Sequence, residues 1–370
     1  MDKRREFEVK LERLMKFLRE NDLHGVVLGR TANVAWLGCG ADTVINSAQE
    51  TGVGTLVATP NGITLVSNNI ETDRLKSEEL GGLDLVDRLS YPWHEPSKRE
   101  EKIGEIVGDA DFAADDGSCG LPALPEEWQR LRYRLTEAEM RRYRRIGRDS
   151  AEAMETAARR VEKGMTEHEI AGLIGGEYFS RRLTPVVLLV AADDRIREWR
   201  HPVPKDLEVE QYVMLVACAR RYGLVTAMTR FVHFGEMTDD LRHRHESVCE
   251  VDARIIQATR PGRTAGEVLK AAQNAYAGAG FPDEWQLHHQ GGAIGYQPRE
   301  YIANPACEEE IVQHQAFAWN PSICGTKSED TILLTEDGPE VLTAPGEDWP
   351  TIEVELEDQT LRRADMLVRE

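Results

Sequence analysis

The chain has 370 residues, 41% of them hydrophobic and 30% charged, which is the balance of a globular protein with apolar material for more than one core. The formal net charge of −20 argues against nucleic acid or an anionic membrane as a partner, because both require a basic face. No apolar run approaches the roughly 20 residues that span a bilayer, and the charged N-terminus lacks the apolar core of a signal peptide. These features predict a cytoplasmic protein.

The cysteines are scattered along the chain without any Cys-x-x-Cys pair. They are Cys39, Cys119, Cys218, Cys249, Cys307 and Cys324. This spacing fits reduced thiols in a cytosolic enzyme better than a disulfide framework or a zinc site.

The first third of the chain alternates apolar segments with charged helical ones. Residues 5–21 have apolar side chains at helical spacing, which predicts an amphipathic helix. The further predicted elements are strands over residues 25–29, 33–37, 55–59 and 63–67, and a helix over residues 71–80. Pro60-Asn61-Gly62 is a good hairpin turn between the last two strands. This alternation predicts a compact α/β domain over residues 1–132, with a linker from Pro122 to Arg134.

A weak internal repeat follows a long helix that is predicted to start at the Thr136-x-x-Glu139 capping box. The motif Gly-x-Thr-x-x-Glu occurs at Gly164 and again at Gly262, each time as a turn and capping box between two helices. The first copy leads to Trp199-Arg200-His201-Pro202 and the second to His288-His289. Two copies of a helix–helix–strand unit predict a pseudo-twofold domain with a ligand site between its halves.

The second repeat leads into a glycine-rich stretch, residues 286–300. His288 and His289 precede its glycines, and Arg299 and Glu300 follow them. Glycines at this density let the backbone approach a ligand closely, so the stretch is interpreted as a pocket floor with these four side chains at its rim. Because alternate residues of a strand face opposite sides, only one of the two histidines is expected to face the pocket, and His288 is favoured.

The remaining predicted strands cover residues 212–219, 224–232, 316–321 and 330–335, and they complete a second domain over residues 133–345. Residues 346–370 are interpreted as an acidic C-terminal tail.

Five sequence segments occur in an order that resembles the creatinase/prolidase/aminopeptidase P superfamily. They are Arg200-His201-Pro202, Thr226-Ala227-Met228-Thr229-Arg230, residues 288–295, Trp319-Asn320-Pro321 and Ser328-Glu329-Asp330-Thr331. The resemblance covers nearly the whole chain. It implies an α/β (α+β) protein with an N-terminal creatinase-like α/β domain, followed by a pseudo-twofold "pita-bread" domain. Members of this superfamily usually form homodimers, so a homodimer is expected.

Metallopeptidases of this superfamily bind two divalent metals through two aspartates, one histidine and two glutamates. Those positions fall on Val216 (or Ala217 if the register slips), Ala227, Gly292, Asn320 and Glu329. Only Glu329 retains a ligand, and one carboxylate does not hold a dinuclear site. No metal and no other cofactor is therefore expected.

The resemblance assigns three candidate catalytic residues: His201, at the position of creatinase's proposed general base and acid, His288 and Glu329. Arg299 is expected to clamp a carboxylate of the substrate. Asn320 and Thr229 occupy the positions of creatinase's two substrate-binding glutamates, so a less cationic ligand than creatine is expected. The other candidate substrate-binding residues are His289, Glu300 and Tyr296.

Three hypotheses follow. The first is a metal-independent hydrolase of a C–N bond in a small metabolite, with His201 as the base. Ectoine is one candidate substrate, because creatinase-like proteins hydrolyse it and the acidic composition is compatible with a high-salt environment. The second is a non-catalytic binding module that retains the fold. The third is a residual Xaa-Pro dipeptidase or aminopeptidase. Retention of the histidines favours the first over the second.

Overall fold

The computed structural model describes residues 3–83, 87–357 and 359–370. The chain forms two compact units. One comprises Met1–Arg132, Thr136–Ala138 and Tyr222–Leu224, and the other comprises Tyr133–Leu135, Glu139–Arg221 and Val225–Glu370. Within the described residues, no helix is both long enough and apolar enough to cross a membrane.

The first unit is a mixed sheet with helices. Its elements are α1 (Lys3–Glu20), β1 (Gly25–Arg30), α2 (Thr31–Leu37), β2 (Thr51–Thr59), β3 (Gly62–Asn68), α3 (Thr72–Arg74), a π-helical turn (Leu75–Glu79), β4 (Asp87–Tyr91), α4 (Ser97–Val107), β5 (Phe112–Ala114) and 3₁₀ turns (Ser118–Gly120 and Glu126–Arg132). The strand order is β4-β3-β2-β1-β5. Val27, Val57, Val66, Ile103 and Phe112 form a buried cluster between the sheet and α4. The predicted helix over residues 5–21 and the hairpin around Pro60-Asn61-Gly62 are confirmed.

The predicted strand over residues 33–37 is wrong, because these residues lie in the helix α2. All of them are buried, so the apolar run has no polar face whose period could distinguish a helix from a strand. Asn33 is the polar residue of this run, and its side chain is buried because both ends of its amide find partners. The amide nitrogen donates to Asp115 at 2.7 Å, and the amide oxygen accepts from the Trp128 indole at 3.0 Å.

The segment expected as a linker packs into the core of the first unit instead. Trp128 is buried, and its ring makes edge-on contacts with Phe17 at 5.3 Å and with Trp36 at 5.8 Å. The prolines and charges at Pro122–Arg134 indicated a linker. The burial of Trp128 holds the segment against the first unit instead, because it removes a large apolar area from water.

The second part of the chain contains longer helices and several sheets. Its elements are α5 (Glu137–Arg159), α6 (Glu167–Ser180), β6 (Thr184–Ala192), α7 (Asp194–Glu198), β7 (Tyr212–Arg221), β8 (Leu224–Phe234), α8 (Asp239–Ala258), α9 (Ala265–Gly278), a 3₁₀ turn (Glu284–Leu287), β9 (Gly291–Ile294), β10 (Tyr301–Ile302), β11 (Ala316–Trp319), β12 (Ser322–Ile323), β13 (Thr326–Lys327), β14 (Asp330–Thr335), β15 (Gly338–Val341), β16 (Thr351–Glu355), β17 (Thr360–Ala364) and β18 (Leu367–Arg369). The two larger sheets have the strand orders β18-β8-β7-β6 and β10-β9-β11-β14-β15.

The predicted repeat is present in this unit. Gly164 and Gly262 both have φ of +83°, a conformation that glycine adopts without steric cost. Thr166 and Thr264 each form a complete capping box with the glutamate three residues later. The turns also pair alike, since the Gly164 amide donates to Val209 at 2.9 Å and the Gly262 amide donates to Ile311 at 2.9 Å.

Residues 346–370 do not form a tail separate from this unit. β16 and β17 pair as an antiparallel hairpin, and β18 pairs in parallel with β8. Val354 packs with Cys249 and Ala253 of α8, and Arg363 is fully buried. The acidic composition of the segment gave no sign of these few buried residues. Their burial holds the segment against the rest of the second unit.

Candidate active site

The strands of the second unit bring four of the predicted segments together. Trp319 pairs with Gly291 on one side and with Asp330 on the other. The residues next to these pairs, Asn320 and Glu329, therefore lie at the same end of the sheet. The backbone amide of Thr229 donates to the Glu329 carbonyl at 3.1 Å, which adds β8 to the group.

His201 lies in the loop between α7 and β7, and ion pairs and hydrogen bonds at both ends hold this loop. Arg200 contacts Glu284 at 2.5 Å, and the same carboxylate oxygen accepts from the Cys324 amide at 3.2 Å. At the other end, the buried Glu167 carboxylate accepts from the Lys205 amide at 2.7 Å. Since Glu284 begins the turn that leads to His288, these contacts fix the two histidine-bearing loops relative to each other.

Three histidines converge where these loops meet. The Nε2 atoms of His201 and His288 are 3.1 Å apart, and the ring centroids of His288 and His289 are 4.8 Å apart. His201 and His289 have ring centroids 5.4 Å apart. The expectation that only one of the adjacent histidines would face this region is wrong. His288 and His289 precede the first residue of β9, Gly291, so the alternation of a strand does not apply to them.

A chain of polar contacts determines which nitrogen of His288 accepts hydrogen bonds. Arg299 can only donate, and its Nη2 lies 3.4 Å from Oδ1 of Asn320. The amide nitrogen of Asn320 therefore faces Nε2 of His288, at 3.3 Å, and donates to it. Nδ1 of His288 then carries the proton and donates to Oγ of Ser322 at 3.1 Å. With Nε2 of His288 as an acceptor, Nε2 of His201 is the donor. These protonation states are assigned from the hydrogen-bond network.

Burial keeps all three imidazoles neutral near pH 7. Desolvation is the main cause that lowers the pKa of His288 far below its ordinary value, and the positive charge of Lys327 adds to it. Desolvation followed by the Arg299 charge lowers the pKa of His289 to about 4. The pKa of His201 is also lowered, by desolvation and then by Lys327. His201 is nonetheless exposed, so it combines a neutral ring with access to solvent.

A buried carboxylate between two cations lies beside the histidines. Glu329 contacts Nζ of Lys327 at 2.7 Å and a terminal nitrogen of Arg299 at 3.8 Å, and it accepts from the Thr229 hydroxyl at 2.7 Å. Burial opposes the ionisation of Glu329, but the two cations outweigh it and lower the pKa of the carboxyl. Nε of Arg299 is buried without a hydrogen-bond partner. The cluster carries one more positive charge than negative, which suits a ligand with a carboxylate.

Glu300 and Tyr296, which were also predicted to bind substrate, lie in the same unit, and their side chains make contacts away from the histidines. The carboxylate of Glu300 accepts from the Tyr296 amide at 3.0 Å, and the Tyr296 hydroxyl contacts Glu139 of α5 at 2.7 Å. Both side chains are buried. Their role in substrate binding stays a prediction.

Sequence reasoning named Lys327 only as one of two possible salt-bridge partners of Glu329, the other being Arg230, and it did not assign Ser322 to the site. Lys327 precedes Glu329 by two residues, a spacing that places both side chains on one face of an extended segment. That spacing was the available signal for Lys327. Nothing in the local sequence marks Ser322 as a partner of His288, because the contact joins residues 34 positions apart.

The dinuclear metal centre of the superfamily does not fit these residues. Val216 and Ala227 offer no donor atom, and a Cβ added at Gly292 would lie 2.2 Å from the Tyr301 carbonyl oxygen, so the backbone here leaves no space for a side chain. The remaining carboxylate, Glu329, is engaged by Lys327. The chemistry of the donor set therefore excludes the two-metal arrangement at these positions.

Comparison with known proteins agrees with this fold. A Xaa-Pro dipeptidase of Pyrococcus furiosus is 22% identical over 366 residues, which cover 90% of this chain and 97% of that protein. An uncharacterized peptidase of Staphylococcus aureus is 24% identical over 224 residues, and the match covers 58% of this chain and 64% of that relative's length. The crystal structure of the prolidase from Pyrococcus horikoshii OT3 superimposes with a TM-score of 0.78 at 18% identity, covering 92% of this chain and 99% of that one.

The fold is thus the pita-bread fold of the creatinase/prolidase/aminopeptidase P superfamily, as the sequence motifs predicted. The family model described as "Metallopeptidase family M24" matches residues 141–336, which is more than half of the chain. The chain belongs to metallopeptidase family M24, and this membership supports a hydrolase.

Proposed function

We propose that the protein is a metal-independent hydrolase that cleaves an amide or amidine C–N bond in a small, carboxylate-bearing metabolite, with His201 as general base and acid. One observation carries this proposal. The exposed His201 is hydrogen-bonded at 3.1 Å to the buried, neutral His288, in a member of family M24 in which Val216, Ala227 and Gly292 offer no metal-binding side chain.

The proton on Nε2 of His201 is donated to His288, so its other ring nitrogen, Nδ1, is the basic one. In the proposed reaction Nδ1 takes a proton from the attacking water and later gives it to the leaving nitrogen. His288 stays a neutral acceptor throughout, and the hydrogen bond that it accepts stabilises the transient imidazolium of His201. The Glu329 carboxylate also favours this positive charge, while Lys327 opposes it.

Lys327 and Arg299 are the proposed binding groups for the negative charge of the substrate. Lys327 is almost completely buried, and among the described residues it pairs with one carboxylate, Glu329, which it shares with Arg299. A substrate carboxylate would supply the missing negative charge and would partner the unpaired Nε of Arg299. Asn320 and Thr229 provide neutral hydrogen-bonding groups in the positions where creatinase carries glutamates.

The test is a hydrolysis assay on N-acyl amino acids, dipeptides and cyclic amidines such as ectoine, in the presence of a chelator. We expect turnover with chelator present, and a loss in kcat of about 10²- to 10⁴-fold in His201→Ala, the range that general acid–base catalysis supplies. The matched control is His168→Ala, which removes an exposed histidine that is not part of the histidine cluster. Full activity of His201→Ala would refute the mechanism.

A second candidate is Xaa-Pro dipeptidase activity, because the match to the Pyrococcus furiosus enzyme runs over most of both chains. The absence of donors at Val216, Ala227 and Gly292 weighs against it. Hydrolysis of Gly-Pro that appears only after loading with manganese or cobalt, and vanishes with chelator, would favour this candidate over the first. A binding module without activity is the third, and it predicts ligand-induced thermal stabilisation without turnover.

The homodimer and the cytoplasmic location belong to this proposal as well. The homodimer rests on the resemblance to the superfamily, and the cytoplasmic location rests on the scattered cysteines, whose spacing fits reduced thiols. Light scattering coupled to gel filtration tests the dimer, since a single peak at the mass of one 41.7 kDa chain would contradict it.

A further inference from the structure

We propose that His201, His288 and His289 form a mononuclear binding site for a divalent transition metal such as zinc, and that occupation of this site inhibits the protein by capturing His201. Among the residues the structure describes, these three are the one group whose potential ligand atoms lie close enough together, all within 4.8 Å of one another. None of the three stands at a position where the resemblance places a metallopeptidase ligand.

The geometry of the group suits a tetrahedral metal. Two nitrogens that each bind zinc at about 2.0–2.1 Å in a tetrahedral site are roughly 3.3 Å apart. The Nε2 atoms of His201 and His288 are 3.1 Å apart, which is close to that distance. The metal takes the place of the proton between them, and the His201 ring then carries its proton on Nδ1. His289 supplies the third ligand, and its Nδ1 is buried without any hydrogen-bond partner.

The surroundings of His288 match those of a metal-bound histidine. A ligating histidine usually donates its second ring N–H to a nearby acceptor, which fixes the ring and the tautomer. Nδ1 of His288 donates to Oγ of Ser322 at 3.1 Å, which leaves Nε2 as the ligand atom. His201 is exposed and provides the entry path from solvent, whereas His288 is buried behind it.

The nearby charges determine which metals can bind. Lys327 and Arg299 together outweigh the single carboxylate Glu329, so the local potential opposes any cation. Only a metal with strong affinity for imidazole overcomes this opposition, which favours zinc and copper over magnesium, calcium and manganese. The same cations would attract an anion to the open position of the metal.

A metal on Nε2 of His201 places the ring proton on Nδ1, the nitrogen that the proposed hydrolysis uses as its base, so a chain that holds the metal cannot carry out that hydrolysis. Binding and turnover are therefore measured separately. The probes are zinc, followed by calorimetry on chelator-treated protein, and cobalt, followed by its visible absorption. We expect one equivalent of zinc per chain, a cobalt spectrum of tetrahedral nitrogen ligation, and no detectable binding of magnesium.

Three variants locate the site. His201→Ala, His288→Gln and His289→Ala should each weaken zinc binding by at least about 10-fold, as the loss of a ligand or of its support does. His168→Ala, whose histidine is exposed and lies outside the cluster, should bind zinc unchanged. Circular dichroism checks the folding of His288→Gln, and the two other variants keep the test decisive if it unfolds.

Two results would overturn the proposal. One is the absence of zinc binding at 100-fold molar excess over the chain. The other is zinc binding that persists in His289→Ala and His201→Ala, which would place the metal elsewhere. Neither result affects the proposed hydrolysis, which is judged by turnover in the presence of chelator and by the activity of His201→Ala. Turnover that is unchanged with one equivalent of zinc bound would overturn the inhibition.

Discussion

Two buried polar clusters of the second unit differ in charge balance, although they meet at neighbouring residues of one strand. Glu329 belongs to the histidine cluster, where two cations face one carboxylate. Asp330 belongs to an arginine network in which Arg230 and Arg363 contact Asp330 and Asp252, and Arg230 also lies 3.9 Å from the buried Glu155. Buried cations that are all matched by carboxylates indicate a structural network, and a group with an excess cation that reaches solvent at one histidine indicates a ligand site.

The arginine network ties the C-terminal hairpin to the strand that carries Glu329. Arg363 of β17 contacts Asp330 at 2.7 Å and Asp252 of α8 at 2.6 Å. Ser328 donates to Asp252 at 2.6 Å, so the residues on both sides of Glu329 are held by this network. The segment that the sequence marked as a tail thus positions a candidate site residue.

The largest effect on stability is expected from Arg363→Ala. The substitution removes the cation that contacts Asp252 and one of the two that contact Asp330, which costs about 3–5 kcal/mol for a broken buried ion pair. Urea unfolding measures the loss. The matched control is Arg254→Ala, which removes an exposed pair with Glu250 and should cost about 0–1 kcal/mol. Equal costs for the two variants would contradict the structural role of the network.

Acid should destabilise the protein in a graded way through its buried neutral histidines. Desolvation lowers the pKa of His245 and His289 to about 4, and that of His288 still further. Below the ordinary pKa of 6.5, the unfolded chain binds protons that the folded imidazoles do not. The free energy of unfolding is therefore undiminished above pH 6.5 and falls as the pH drops towards 4, by about 1.4 kcal/mol per pH unit for each such histidine.

Urea unfolding at pH 7.5, 6.0 and 5.0 measures this slope. His245→Asn should reduce it, because one buried imidazole is removed, whereas His168→Ala should leave it unchanged. A free energy of unfolding that does not vary over this range would show that the histidines are accessible to protons in the folded state.

The smallest expected effects concern the two repeats. Thr166→Ala and Thr264→Ala each remove an N-cap hydrogen bond and should cost about 1 kcal/mol. Thr166→Ser and Thr264→Ser retain the hydroxyl and should cost much less. Because the two caps have the same geometry, a large difference between the two alanine variants would mean that the repeats are not equivalent energetically.

Much of the fold followed from local patterns. The duplicated Gly-x-Thr-x-x-Glu turn encodes a left-handed glycine and a capping box, both of which depend on neighbouring residues only. The hairpin at Pro60-Asn61-Gly62 and the amphipathic helix α1 are local in the same sense. The strand predicted over residues 33–37 was wrong because a fully buried run gives no periodic signal. The linker predicted from Pro122 was wrong because Trp128 packs against residues about 100 positions away in the sequence.

The sequence by itself determined the family and the repeat, since each rests on residue identity at fixed spacing, and the loss of the metal ligands stays a prediction from the same spacing. The identities of His201, His288, Arg299, Asn320 and Glu329 as site candidates also came from spacing, and the structure brings these five into one connected set of contacts. Their roles in binding and catalysis stay predictions.

Only the tertiary structure decided how these groups act on one another. Lys327 reaches Glu329, Ser322 fixes the tautomer of His288, and His289 turns towards His201 rather than away from it. The physical reason is that protonation and hydrogen-bond direction depend on burial and on contacts between residues far apart in the chain. Composition and spacing do not encode these contacts, and the packing of the second unit creates them.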